Sequence, residues 1–351
     1  MDVDFFKGKR VLLTGHTGFK GTWMCKLLNV LGAEIYGYSL DPPTVPNLFD
    51  LSNAKDYVCD ERGDVADFDH LLSYFERISP EIVIHMAAQP LVKESYVHPL
   101  ETYRSNVMGT VSIMECMRLT DCVDSFLNVT TDKVYENIEV DKYYVESDPL
   151  NGYDPYSNSK SCSELVTSSY KKSFFNNGAV KISTARAGNV IGGGDFAKDR
   201  IIPDCVRAAI LNKDVILRNP NSIRPYQHVL EPLVAYLEIL CAQSLDSSKE
   251  GSYNVGPNRE DCVTTGELAT LFCKYWGNSL KWHAVDENGP HEANYLKLDN
   301  SLIKESIGFK PRWCIDEAVK NTVEWTKVWA SGGNISSVMS SQIKSYFEED
   351  L

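Results

Sequence analysis

Between residues 10 and 186, short runs of apolar, largely β-branched residues alternate with longer stretches in which apolar residues recur every three to four positions. The runs lie at 10–14, 34–39, 82–86, 126–130 and 180–186. The longer stretches lie at 22–31, 67–78, 102–118 and 156–175. Short strands separated by helices form βαβ units, and such units assemble into a parallel sheet. The runs are apolar throughout rather than at alternate positions, so helices must cover both faces of that sheet. The expected class is α/β, with a doubly wound parallel sheet. Beyond Gly188 the texture changes to Gly192-Gly193-Gly194 and several Pro-containing turns, which predicts a smaller, more irregular α+β lobe. The expected division is a nucleotide-binding domain over 1–187, completed by part of 226–255, with 188–351 mainly a substrate-binding lobe. Residues 331–351 are expected to form a tail or terminal helix without chemistry.

Charge and cysteine usage narrow the function classes. The chain has 351 residues, 35 Lys+Arg against 48 Asp+Glu, and a formal net charge of −13. Such a chain is a poor partner for nucleic acid or an anionic membrane, which require clustered positive charge. The longest apolar stretch, at 82–92, contains His85 and Pro90 and is too short to span a bilayer. The acidic start Met1-Asp2-Val3-Asp4 does not read as a targeting signal. Ten cysteines are scattered without a Cys-x-x-Cys pair, so neither a disulfide scaffold nor a zinc site is expected. A reducing, cytoplasmic setting fits best, with no metal.

Directly after the first run comes Thr14-Gly15-His16-Thr17-Gly18-Phe19-Lys20-Gly21, and then a helical stretch. A Gly-x-x-Gly-x-x-Gly pattern alone is a weak signal. Between a strand and a helix, at the start of an alternating chain, it reads as a Rossmann dinucleotide fingerprint. Gly15, Gly18 and Gly21 permit a tight turn and close approach of a pyrophosphate, with Thr17 and Phe19 in the same loop. The helix N-terminus adds N–H donors and a positive dipole end. Asp41 lies 20 positions after Gly21, where an acid binds the adenosine ribose and disfavours a 2′-phosphate. That favours NAD over NADP, although Asp41 also opens the turn Asp41-Pro42-Pro43, and Lys20 would add a cation near the phosphates. Asp64 and Val65 follow the third strand and are placed at the adenine. The small residues Ala87 and Ala88 end the fourth strand and would let the cofactor cross the sheet edge.

Tyr156-x-x-x-Lys160 opens the helix after Asp154-Pro155, and residues four apart share a helix face. A neighbouring ammonium favours phenolate, so Lys160 should pull the Tyr156 phenol down. Such a tyrosine can exchange a proton with a sugar hydroxyl while hydride leaves the same carbon. Thr131, Asp132 and Lys133 follow the strand at 126–130, and ligands of parallel sheets sit beyond strand carboxyl ends. Asp132 could also serve only as a cap or turn residue. Hydride transfer needs only Tyr156, Lys160 and a hydroxyl. The additional acid and amine therefore point to a second step, such as elimination.

Taken with Gly152-Tyr153-Asp154-Pro155-Tyr156-Ser157-Asn158-Ser159-Lys160, Arg186-Ala187-Gly188-Asn189-Val190-Ile191-Gly192-Gly193-Gly194-Asp195 and Asp199-Arg200-Ile201-Ile202-Pro203-Asp204, these segments resemble the extended short-chain dehydrogenase/reductases. Within that group the chain is similar to the nucleotide-sugar 4,6-dehydratases, and most to those acting on CDP-glucose. The resemblance runs from about residue 7 to 330. It implies NAD as cofactor, CDP-glucose as favoured substrate, and a 4-keto-6-deoxy sugar as product. It implies catalytic roles for Thr131, Asp132, Lys133, Tyr156 and Lys160, with Asp132 as acid. Lys133 stands where many dTDP-glucose dehydratases carry Glu, and could serve as base only if burial or nearby cations lower its pKa. Asn189, Arg200 and Arg224 are the expected substrate ligands, the arginines for the diphosphate, each competing with a plain salt-bridge role. His228 is expected to be structural, and Asn254 and Tyr295 are weaker candidates. A homodimer built on the stretches 102–118 and 156–175 is also implied. The alternative is an epimerase, or a dehydratase for another nucleotide-linked hexose or heptose; an epimerase would use Tyr156 and Lys160 without needing Asp132 and Lys133.

Overall fold

A computed structural model describes residues 2–277, 279–285 and 296–347. Seven strands form the central sheet: β1 (Arg10–Thr14), β2 (Glu34–Ser39), β3 (Cys59–Arg62), β4 (Ile82–His85), β5 (Ser125–Thr131), β6 (Lys181–Ala187) and β7 (Ser252–Val255). Their spatial order is β7-β6-β5-β4-β1-β2-β3, and every pairing is parallel. The order reverses between β1 and β4, the point at which open α/β sheets leave a crevice for ligands.

Both sheet faces are covered. Val11 and Leu13 of β1 face one apolar cluster, and Leu12 between them faces the other. The first cluster lies under helices α1 (Phe19–Val30) and α6 (Leu230–Leu245). The second lies under α2 (Phe68–Ile78) and α3 (Gly109–Thr120). Two helical turns, Pro99–Tyr103 and the wider Arg104–Met108, lead into α3 and interrupt the stretch expected to be one helix. Beside α3 lies α4 (Pro155–Phe174), with α5 (Ile201–Ile210) in the lobe. Helix α4 is rich in serine, and those hydroxyls are satisfied inside the layer. Asn128 Nδ2 donates to Ser163 Oγ at 2.9 Å, and Thr110 and Ser163 hydroxyls meet at 2.8 Å. Small side chains thus let α4 approach β5 closely.

The C-terminal segment is a terminal helix, one of the two forms expected of it: Ile335–Tyr346 (α7) packs on α1 and contributes to the first apolar cluster. Glu231 on α6 is fully buried and accepts from the backbone N–H groups of Arg312 and Trp313 and from the Tyr346 hydroxyl. This anchor could not be read locally, because its partners are about 80 and 115 residues apart in sequence. All ten cysteines are unpaired. Among the described residues, no helix is long and apolar enough to cross a membrane.

Candidate active site

The glycine loop is compact for steric reasons. Gly15 has φ +77°, and a Cβ there would meet the Ala87 backbone at 2.9 Å. A Cβ on Gly21 would lie 2.0 Å from the Gly15 carbonyl oxygen. Gly18 caps α1 and is less crowded. Thr14 Oγ1 receives the backbone N–H groups of Met86 and Ala87, both at 3.1 Å, locking the ends of β1 and β4 together. Thr17 ties the loop to the end of β2 through Ser39 Oγ at 2.9 Å and the Leu40 carbonyl at 3.0 Å. Phe19 packs against the first cluster. The start of α1 therefore opens onto the crevice at the β1/β4 reversal, as an anion-binding helix start would.

At the far end of β2, Asp41 is 93 % exposed and 3.6 Å from Arg62. Asp64 accepts from Ala66 N–H and pairs with Arg104 at 2.9 Å, while Val65 is buried against Gly109. Ala87 and Ala88 are half-buried at the sheet edge. One residue that carried no signal in sequence is His16. Its buried ring lies against Gly37 and bonds Asp60 at 2.9 Å, and burial lowers its pKa.

The second group gathers at the carboxyl end of β5. Thr131 Oγ1 donates to Asp132 Oδ1 at 2.9 Å. Lys133 Nζ reaches the same oxygen at 3.1 Å and Asn189 Oδ1 at 3.5 Å. Asp132 is 1 % exposed, and its Oδ2 has no hydrogen-bond partner among the described residues, leaving one acceptor unused. Asp154 caps α4 by accepting from Ser157 N–H, Pro155 starts the first turn, and Tyr156 follows it into the same space. Burial pushes the Tyr156 phenol up to about 12, while the Thr131 hydroxyl and Arg200 pull the other way.

The expected pull of Lys160 on that phenol is therefore not the leading influence. Lys160 instead donates to the Val129 carbonyl at 3.2 Å. Burial lowers its pKa to about 8, partly opposed by Glu164 one turn further along α4. Glu164 is itself buried and was not identified from sequence. It accepts from Thr130 at 2.5 Å and Thr184 at 2.8 Å, and holds Arg186 at 3.0 Å. Lys20 also differs from expectation. Its amine lies 5.7 Å from the Tyr236 ring centroid, and its pKa falls to about 7 through burial and the charges of Lys160 and Arg200. Lys20 thus faces the reaction centre rather than only the phosphate end.

The remaining candidates divide. Arg200 pairs with Asp195 at 3.0 Å while its charge reaches Tyr156 and Lys20. Arg224 is buried and donates to the Ile223 carbonyl at 2.9 Å. His228 is fully buried, edge-on to Trp23 and Trp313, and burial lowers its pKa to about 3. Asn254 is spent on Tyr135, Tyr144 and Asp299. Both are structural groups. Tyr295 lies outside the described residues.

The sequence matches the family described as GDP-mannose 4,6 dehydratase over residues 12–322. It is 45% identical to a CDP-glucose 4,6-dehydratase of Salmonella typhimurium, covering 99% of this chain and 98% of that protein. It is 27% identical to a human dTDP-D-glucose 4,6-dehydratase, covering 90% of this chain and 89% of that protein. The fold is shared with a dTDP-glucose 4,6-dehydratase from Bacillus anthracis crystallised with NAD, at a TM-score of 0.77 and 20% identity, covering 91% of this chain and 97% of that one. A parallel seven-stranded sheet, a glycine loop at its reversal and a Tyr-x-x-x-Lys helix beside it accompany these likenesses, and the chain belongs to the nucleotide-sugar 4,6-dehydratase family.

Proposed function

We propose that this chain is an NAD-dependent CDP-glucose 4,6-dehydratase, a hydro-lyase. One observation carries the reading: the Lys133 amine donates to one oxygen of Asp132 beside Tyr156, and the second Asp132 oxygen has no partner among the described residues. Proton exchange at one hydroxyl would leave that pair unused. The full-length relative at 45% identity, a CDP-glucose 4,6-dehydratase, supports the substrate.

The glycine loop fits a dinucleotide, since a Cβ at Gly15 or Gly21 would collide with the backbone of Ala87 or Gly15, and only glycine there keeps the turn at the start of α1 tight enough for a pyrophosphate to approach the backbone. Gly15, Thr17, Gly18, Phe19 and Gly21 would hold the pyrophosphate. Asp41 would take the ribose, Asp64 and Val65 the adenine, and Ala87 and Ala88 would lie beneath. Lys160 and Tyr156 would face the reacting end. The bound cofactor would accept hydride from the sugar C4 and return it at C6. Tyr156, assisted by Lys160 and Thr131, would take the C4 hydroxyl proton as phenolate, a form that the Thr131 hydroxyl and the Arg200 charge favour against burial and that the positive ring of bound NAD would favour further. The resulting ketone acidifies C5, and Lys133 or a group beside it removes that proton. Asp132 gives its proton to the departing C6 hydroxyl, which leaves as water. The pairing of Lys133 with an acid, and its 30 % exposure, differ from the burial among cations that a lysine base requires. Both roles start from the proton that lies between the two groups, which Asp132 must hold as acid and Lys133 must lack as base. Arg200 and Arg224 would bind the diphosphate and Asn189 the sugar side.

Residues 1–187 with 226–255 would serve the cofactor, and most of 188–330 the substrate. A homodimer through the α3 and α4 face is supported by the apolar residues Leu100, Met108, Leu165 and Phe174, each more than half exposed there. The deciding experiment incubates the chain with NAD and with CDP-, dTDP-, GDP- and UDP-glucose in turn. A 4-keto-6-deoxy product from CDP-glucose is expected; an epimer without a 4-keto product would overturn the reading.

A further inference from the structure

A second set of charges lies on the segments that follow β4 and precede α5. Asp199, in the loop before α5, pairs with Lys93 at 2.5 Å and with Arg218 at 3.2 Å. Lys93 lies on the short helix Val92–Val97 that follows β4. Arg218 follows the lobe strand Val215–Leu217. One carboxylate therefore links the sheet to the lobe. Next to it, Asp195 holds Arg200 at 3.0 Å. Both loop acids thus occupy cations, and Arg200 is one whose charge reaches Tyr156.

Stability does not account for this arrangement. The side chains of Lys93, Asp199 and Arg218 are 36 %, 48 % and 37 % exposed. Ion pairs so open to water contribute little to folding. Their chemistry fits a ligand better. A guanidinium fork and an ammonium that accept a carboxylate also accept a phosphate oxygen, which carries more charge and more acceptor sites. Resting on the nucleotide-sugar reading above, we infer that Asp199 stands in for a substrate phosphate in the free chain, and that Lys93 and Arg218 are further diphosphate ligands. When a nucleoside diphosphate enters, Asp199 turns to solvent at small cost, because half of it is already exposed. The same exchange moves the cations from an internal acid to the ligand, which an overall charge of −13 would otherwise repel.

The two roles predict opposite signs. Calorimetric titration of the full chain with NAD present would compare CDP with CMP, which lacks the second phosphate. Lys93→Met is expected to weaken CDP binding about 10-fold, the loss of one charge-assisted contact, with CMP affected less. Asp199→Asn is expected to tighten CDP about 3-fold by removing the competing anion. Unchanged CDP affinity in Lys93→Met, or weaker binding in Asp199→Asn, would show that the three charges form a structural strap and overturn the inference. A wild-type chain that binds no CDP would instead refute the substrate reading itself, and this inference with it.

Discussion

Glu164 offers a test that separates folding from chemistry. It is buried with Arg186, the two side chains being 2 % and 4 % exposed. Glu164→Gln keeps the shape but leaves the guanidinium without a counter-charge, and the amide can accept at only one atom where the carboxylate serves Thr130, Thr184 and Arg186. Breaking a buried pair by removing one partner costs about 3 kcal/mol or more. For a chain of this size that lowers the unfolding midpoint by roughly 4 °C. The second effect is on Lys160. Burial lowers its pKa to about 8, and the Glu164 charge raises it. In the proposed mechanism Lys160 works as a cation at the reacting end, so turnover should fall as pH rises through that pKa. Without Glu164 the pKa drops further, and the alkaline limb moves to lower pH by on the order of two units, for i, i+4 partners roughly 6 Å apart at an effective dielectric near 20. Circular dichroism melting and a pH series of kcat read the two effects separately. Adding Arg186→Met should recover part of the stability without returning the limb. A variant with the parent midpoint and a superimposable limb would refute the reasoning.

Four further outcomes are expected. Tyr156→Phe should lower kcat by about 10²-fold or more while NAD binding and the melting curve survive, as measured by turnover and cofactor titration. Gly21→Ala places a Cβ 2.0 Å from the Gly15 oxygen, so NAD titration should show at least about a 10-fold loss with Tyr156 chemistry otherwise intact at saturating cofactor. Asp132→Asn should slow elimination and let reduced cofactor and 4-ketone accumulate, visible as nicotinamide absorbance in a single turnover; an unchanged rate would remove its acid role. Met108→Glu combined with Leu165→Glu should give a monomer by light scattering, since the charges fall on the exposed α3/α4 face.

Much of the frame was legible in the sequence for local reasons. The limits of β1 and β2 follow directly from their apolar runs, and α4 begins where Asp154 and Pro155 dictate, because capping and backbone restriction act within a few residues. Thr131, Asp132, Tyr156 and Lys160 stand out as candidates in the sequence because two short motifs sit at strand and helix ends. The interruption before α3 was not legible, since the wider turn at Arg104–Met108 has no distinct residue signature. The electrostatics were misjudged from spacing alone: residues four apart share a face, yet Lys160 Nζ is drawn to Val129 of β5 rather than to the phenol.

The sequence by itself determined the class of sheet, the loop that greets a phosphate, and the side chains available for proton transfer, all of which rest on periodicity and short-range geometry. Tertiary structure decided the rest. It brought Glu164 to Arg186, Glu231 to Tyr346, and Lys93 and Arg218 to one carboxylate. These pairs link residues from 19 to 115 positions apart, and burial or charge at such distances depends on which helices cover which strands. The net charge of −13 fixed the character of the chain, but only the fold placed its cations around the crevice and set an acid beside each of Lys133, Arg200 and Lys93.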